Sequence, residues 1–322
     1  MPIKRRKADR HKTITHSSWQ TFAHCRKKYY WQYERKLSNR KPSQPLLIGS
    51  MVHNELDHFY RSLGKYGETG VEESVRRIRE EIAKLRREGQ HGWMPNEWDM
   101  DMLCKAEALT AGIVSGYVAH YEERDAEKYS ILEPESVFVL PVEGTSWQTT
   151  GKIDLLLRMK NSSQHAIMEH KTASSIDTGY VSKIALDKQT LRYIWAARKK
   201  YNLNVTTVIY NVILKTKIRQ RKNESLGAFI RRVHQEYVLD PAKYFYRETI
   251  QPTKSQIESI PADDQLNVLE IERCREQGRY YMNTGHCYAY NSTCPFMPLC
   301  TGQGTVEDFR VRKAVHEELV ED

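Results

Sequence analysis

Between residues 151 and 171 apolar and polar positions alternate twice along the chain. Residues 151–159 set Ile153, Leu155, Leu157 and Met159 on one side and Asp154, Leu156 and Arg158 on the other, the two-residue period of a strand. Residues 165–171 alternate again, Ala166 and Met168 against Ile167, Glu169 and Lys171, and the polar stretch 160–164 closes a hairpin. With Asn161 and Ser162 at its tip, Asp154 pairs with Glu169, and Lys171 shares their side. A slip of one residue pairs Asp154 with His170 instead and turns Glu169 away, so the pattern alone leaves the register open.

The same reading predicts strands over about 136–142, 147–159, 164–171 and 205–214, and alternation over 232–239 predicts a further edge strand. Helical spacing covers 17–37 and then Val52, Leu56, Phe59 and Leu63, a stripe with His53 at its edge. It resumes over 71–127 with a break near 89–96, a helical insertion suited to wall or cap a site. A helix carrying Gln189 precedes the strand at 205, and another covers 253–283. Residues 1–16 read as a basic arm, mobile over 4–12, and 38–45 as a polar loop with two prolines. Residues 17–302 form the body, and 303–322 a charged, weakly ordered tail. The fold class is α/β, a mixed sheet flanked by helices. A length of 322 residues fits one elaborated domain as well as two.

Charge adds a class of partner. Fifty Lys and Arg against forty-one Asp and Glu leave a net charge of +9, and no apolar run is long enough to span a membrane. The basic residues cluster, most usefully at Lys215, Lys217, Arg219, Arg221 and Lys222, directly after the apolar run 205–214. A strand there lies beside the hairpin, so these five are candidate contacts to nucleic-acid phosphates, with binding that weakens as salt rises. The other basic runs read as solvated faces. Aromatics interleave with lysines at 28–33, where core packing is the plainer use and base stacking the alternative.

Two groups of residues carry candidate chemistry. Asp154, Glu169 and Lys171 on one side of an apolar hairpin would be costly to bury unless they are paired or hold a cation. Carboxylate oxygens suit Mg²⁺ or Mn²⁺, and an adjacent lysine can orient a water; the spacing fits equally a surface hairpin with an ordinary Glu–Lys pair. Six cysteines stand at 25, 104, 274, 287, 294 and 300, the last three crowded into a loop with two prolines. No signal peptide opens the chain, so a cytoplasmic setting and a metal or cluster site are expected rather than disulfides. Cys104 and Cys274 sit in helical patterns and read as packing residues, with Cys274 as a reserve ligand.

Gly151-Lys-Ile-Asp154 followed by Glu169-His-Lys-Thr172 resembles motifs II and III of the PD-(D/E)XK nuclease superfamily, in its RecB-like branch. That branch includes the nuclease domains of RecB and AddB, CRISPR-associated RecB-like exonucleases and phage exonucleases. His53, in Gly-Ser-Met-Val-His, resembles the branch's metal-binding histidine, and Gln189 with Tyr193 resembles its Gln-x-x-x-Tyr motif. Glu133 and Glu135 precede the strand at 136, where the branch often carries another acid; on the residues themselves each reads as an ordinary surface acid. Cys25, in Ser-Ser-Trp-Gln-Thr-Phe-Ala-His-Cys, is similar to the N-terminal cysteine of relatives that hold an iron-sulfur cluster with three C-terminal cysteines. Two departures stand: Arg26 follows Cys25 where proline is common, and Cys287 to Cys294 is wider than the usual Cys-x-x-Cys.

The resemblance implies a restriction-endonuclease-like fold, with His53, Asp154, Glu169 and the carbonyl of His170 as ligands of Mg²⁺ or Mn²⁺. It implies Lys171 as the group that positions water, supported by Gln189 and Tyr193. It implies a 4Fe-4S cluster on Cys25, Cys287, Cys294 and Cys300 that fastens the two ends of the chain, where ligand chemistry alone would also admit zinc. The activity implied is hydrolysis of DNA to 5′-phosphate products, most simply by an exonuclease of recombination, repair or replication. Its substrate would have a free or single-stranded end, and a helicase or recombination protein is a candidate partner. The alternative is a catalytically silent DNA-binding scaffold of the same fold, which the intact Asp154, Glu169 and Lys171 disfavour.

Overall fold

A computed structural model describes residues 12–39, 43–91, 100–289, 292–316 and 319, with side chains described except at 88–91. The chain divides into two compact units, Lys41–Ser136 with Ile153–Lys254, and Met1–Arg40 with Val137–Lys152 and Ser255–Asp322. Two strands, β1 (Tyr129–Pro141) and β2 (Gln148–Met159), each run from one unit into the other. No described helix is long and apolar enough to cross a membrane.

The larger unit is built on a mixed sheet, the expected fold class. β2 pairs antiparallel with β3 (His165–Ala173), β3 parallel with β4 (Val205–Leu214), and β4 antiparallel with β5 (Phe245–Ile250). β4 is buried along nearly its whole length, which is why its sequence is mostly apolar rather than alternating. Three helices precede the sheet: α1 (Gln44–Arg61), α2 (Gly67–His91) and α3 (Met100–Lys128). The parallel pair β3–β4 needs a crossover, supplied by α4 (Lys188–Tyr201), and α5 (Leu226–Leu239) follows β4. α1 and α4 pack on β3, while α3 packs against α1, α2 and α5. α3 approaches α5 so closely that a Cβ on Gly112 would stand 2.3 Å from Val233, and one on Gly116 would stand 2.3 Å from Tyr237.

The expected edge strand at 232–239 is helix α5. Ser225 caps it by accepting the Ala228 N–H, and Phe229, Val233 and Tyr237 bury one face at four-residue spacing. The alternation there is a coincidence of that stripe with intervening charges. The edge strand is β5 instead. β1 begins at Tyr129, seven residues earlier than the pattern predicted, and so includes Glu133 and Glu135. The break near 89–96 and the arm at 4–11 lie in whole or in large part outside the described residues.

The smaller unit has its own core of Ile14, Phe22, Tyr29, Tyr33, Val142, Trp147, Val268 and Ile271. The helix expected over 17–37 is interrupted: His16–His24 ends at Cys25, whose backbone is extended, before Arg26–Tyr29 and a π turn over Tyr30–Glu34. The helix expected to 283 stops at Gln277, where Gly278 takes the left-handed conformation. Part of the tail is ordered, since Arg310–Val311 pairs with Leu37–Ser38 and Phe309 stacks on Phe296.

Candidate active site

β2 and β3 meet with Leu155 opposite Met168 and Leu157 opposite Ala166, the register that brings Asp154 level with Glu169. The backbone N–H of His170 donates to Asp154 Oδ2 at 2.8 Å, which fixes the carboxylate against the strand. His53, on α1, brings Nδ1 to 3.6 Å from that same oxygen. Val52, Leu56 and Phe59 anchor α1 in the core, so the neighbouring His53 is held at the core's margin.

The third member of the group is Glu135. Ligand atoms of His53, Glu135 and Asp154 all lie within 4.8 Å of one another. Glu135 is thus not the surface acid expected of it. Its backbone is left-handed, φ 51°, a conformation that costs a non-glycine residue about 1–2 kcal/mol and breaks the alternation of β1. Glu133, two residues earlier, accepts the hydroxyl of Tyr201 instead.

Glu169 and Lys171 form an ion pair, with Glu169 1 % exposed and Lys171 half-buried. Glu169 Oε1 accepts from Lys171; Oε2 is buried and has no hydrogen-bond partner among the described residues. Lys171 Nζ also donates to Gln189 Oε1 at 2.8 Å, and Gln189 Nε2 donates to the Tyr193 hydroxyl at 2.9 Å. Asp187 fixes the start of α4 by accepting the Gln189 N–H at 2.9 Å, and its other oxygen accepts the Tyr210 hydroxyl at 2.9 Å. Asp187 and Tyr210 were not legible as supports of Lys171. The signal available was an Asp two residues before Gln189, at a cap position.

The electrostatics follow from crowding. Burial raises the Glu169 carboxyl to about 8, with the charge of Asp154 adding to it, and Lys171 only partly offsets them. Burial acts upward on Asp154 too, but His53, its hydrogen bond, His170 and Lys171 outweigh it and hold Asp154 well below the usual carboxylate range. Burial disfavours charge on His53, yet Asp154 more than compensates and raises its pKa. Burial lowers His170 to about 3. Lys171 rises despite burial because Glu169, Asp154 and Asp187 surround it. A buried carboxylate with an unpartnered oxygen beside a converging His, Asp and Glu is the donor set of a hard divalent cation.

Of the predicted phosphate contacts, Lys215 is half-buried with Nζ 3.4 Å from Thr172 Oγ1, one residue beyond Lys171, and burial lowers its pKa. Lys217, Arg219, Arg221 and Lys222 lie exposed on the segment after β4.

The cysteines fall in the smaller unit, Cys104 excepted. All six are free thiols. Burial raises Cys294 and Cys300, and both also feel Cys25 and Cys287. Burial raises Cys274 too, but its charged neighbours are Arg26, Glu270, Arg273 and Glu34, and it packs on the apolar core. Cys25 Sγ accepts the Asn283 N–H at 3.4 Å, and the Cys287 carbonyl accepts the Cys294 N–H at 2.8 Å. Cys104 contacts Arg86 in the larger unit.

A family model described as the PD-(D/E)XK nuclease superfamily matches residues 13–301. Among solved structures, a candidate exonuclease from Eubacterium rectale is similar at 12% identity, with 91% of this chain and 94% of that chain covered and a TM-score of 0.46. The protein SSO0001 is similar at 11% identity, with 94% and 90% covered and a TM-score of 0.36. No curated protein matches the sequence.

Proposed function

Since the chain belongs to the PD-(D/E)XK nuclease superfamily, we propose that it is a divalent-metal-dependent deoxyribonuclease of the RecB-like branch, acting as an exonuclease. The observation that carries this reading is the buried, unpartnered Glu169 Oε2 beside the converging His53, Glu135 and Asp154. Burial disfavours the charged form of such a group, and a cation would stabilise that form. His53, Asp154 and Glu169, with the His170 carbonyl and Glu135, would hold Mg²⁺ or Mn²⁺. When bound, the ion polarises the scissile phosphate and lowers the pKa of water.

The chain's own residues do the rest. Lys171, kept charged by its acidic neighbours, orients the attacking water and offsets the negative charge that grows on the phosphate. Gln189 accepts from Lys171 alongside Glu169, and the Tyr193 hydroxyl accepts from Gln189. Lys215 and, further out, Lys217, Arg219, Arg221 and Lys222 bind the DNA backbone.

Cys25, Cys287, Cys294 and Cys300 are the ligands of a 4Fe-4S cluster in this reading. Support comes from the influence of Cys25 and Cys287 on both Cys294 and Cys300 and from the amide hydrogen bond to the Cys25 sulfur. The role of the cluster is structural.

The test is cleavage of end-labelled linear and closed circular DNA with Mg²⁺ or Mn²⁺. Asp154→Ala and Lys171→Ala are each expected to lose at least 100-fold in rate. Full activity in both purified variants would sink the assignment, and cutting of the circular substrate would remove the exonuclease.

A further inference from the structure

A row of polar residues crosses the sheet of the larger unit at the level of the candidate site. His170 on β3 stands beside Asn211 on β4, and Asn211 stands beside Arg247 on β5, each a register partner of the next. Asn211 is wholly buried and His170 is 3 % exposed, although the sheet positions around them, Met168, Ile209 and Ile213, belong to the apolar core.

The direction of every hydrogen bond in the row is determined from its far end. Asp125, on α3, accepts from Arg247 through both oxygens at 2.6 and 2.8 Å, and also accepts the Tyr60 hydroxyl at 2.8 Å. Arg247 has only donors to offer, so its Nε donates to Asn211 Oδ1 at 2.8 Å. That orients the amide and leaves Nδ2 to donate to His170 Nδ1 at 2.9 Å. A neutral imidazole accepting at Nδ1 carries its proton on Nε2. Tyr60 lies over the same ring, stacked at 5.4 Å, and its hydroxyl accepts from Arg247 at 3.1 Å.

We infer that Asn211, oriented by the Arg247–Asp125 pair, is a positioning residue that clamps the His170 ring so that the His170 backbone holds Asp154 in the metal-binding arrangement. The inference rests on the reading of that group as a metal site. Its physical motive is cost. Replacing a buried ionic and polar row by apolar residues is often neutral or stabilising, so stability alone does not account for it. The row reaches the proposed ligands through His170, whose N–H donates to Asp154 and whose carbonyl is itself one of them. Outer partners of this kind typically change metal affinity 10–100-fold when removed.

Asn211→Asp is the decisive variant. It keeps the size of the side chain and gives Arg247 a full charge to pair with, so a merely structural role is satisfied. It cannot donate to His170 Nδ1, and the ring must turn that nitrogen from acceptor to donor. Two-bond ¹⁵N–¹H correlation spectra of the metal-free protein, with the His170 signal assigned by its loss in His170→Gln, are expected to show the proton on Nε2 in the unaltered chain and on Nδ1 in Asn211→Asp. Mn²⁺ titration is expected to give an affinity about 10-fold or more weaker, while the melting temperature is kept and the cleavage rate at saturating Mn²⁺ recovers. Asn211→Ala is expected to weaken Mn²⁺ in the same sense.

An unaltered ring signal, or wild-type Mn²⁺ affinity in a folded Asn211→Asp, overturns the inference and leaves the nuclease reading intact. Failure of Asn211→Asp to fold assigns the row to stability and overturns it as well. If the unaltered chain neither binds Mn²⁺ nor cuts DNA, the nuclease reading fails first and takes the inference with it.

Discussion

Glu135 and Asp154 reach one another from two strands, and with His53 they bring their ligand atoms to within 4.8 Å. Glu135 gets there through a left-handed backbone, a local strain that turns its carboxylate out of the alternation followed by Glu133. Glu135→Gln is therefore expected to weaken Mn²⁺ binding about 10–100-fold by calorimetry. Glu133→Gln, which loses only the Tyr201 contact, is expected to leave that affinity unchanged. Equal affinities in the two variants would remove Glu135 from the site.

pH dependence follows from the shifted groups, with opposite signs. His170 is lowered to about 3 from an ordinary 6.5, so between those values the unfolded chain binds the extra proton and stability rises with pH. Glu169 is raised to about 8 from 4.5, so between those values the folded chain binds it and stability falls as pH rises. Between about pH 4.5 and 6.5 the two largely cancel, and from there to about pH 8 the loss from Glu169 remains, reinforced by the raised His53. The metal-free protein is expected to melt at lower temperature at pH 8 than at pH 6.5. Saturating Mg²⁺, which needs the ionised carboxylate, should abolish that loss and bind more tightly as pH rises through this window. A flat melting profile without metal would contradict the assignment of Glu169.

Lys171 Nζ donates to both Gln189 and Glu169. Gln189→Ala is expected to lower the single-turnover cleavage rate by about 10-fold with metal affinity retained, because it loosens the lysine rather than the ligands. Asp187→Ala should move the rate in the same direction by freeing the start of the helix. A change in metal affinity with an unchanged rate would place Gln189 elsewhere in the mechanism.

Cys25→Ser and Cys300→Ser are expected to lose bound iron and to lower the melting temperature by roughly 5 °C or more. Cys104→Ser and Cys274→Ser should keep the iron, since Cys104 lies in the larger unit and Cys274 packs on the apolar core. Iron and acid-labile sulfide are measured on anaerobically purified protein together with the visible absorbance. One zinc per chain and no iron would replace the cluster by a single-ion site.

Lys215→Ala is expected to weaken binding of DNA uniformly across sequences and to reduce the salt slope of log Kd by about 1. The fluorescence anisotropy of labelled DNA in EDTA reads this without cleavage. An unchanged slope would show that the half-buried lysine does not meet a phosphate.

The sequence by itself determined the hairpin, the sides of its residues and the helix spacing of Gln189 and Tyr193. Those depend on periods of two and 3.6, which are properties of neighbouring positions. It offered two registers for Asp154, and the pairing of Leu155 with Met168 selects the one that sets Asp154 level with Glu169. The alternation at 232–239 misled, since the close approach of Gly112 and Gly116 to Val233 and Tyr237 rewards a helix there more than local pattern rewards a strand. Glu135, Asp187, Asn211 and Arg247 were not legible for one physical reason. Each takes its meaning from a partner far along the chain, and which partner it meets is set by backbone conformation and by strand order, which only the packed molecule fixes.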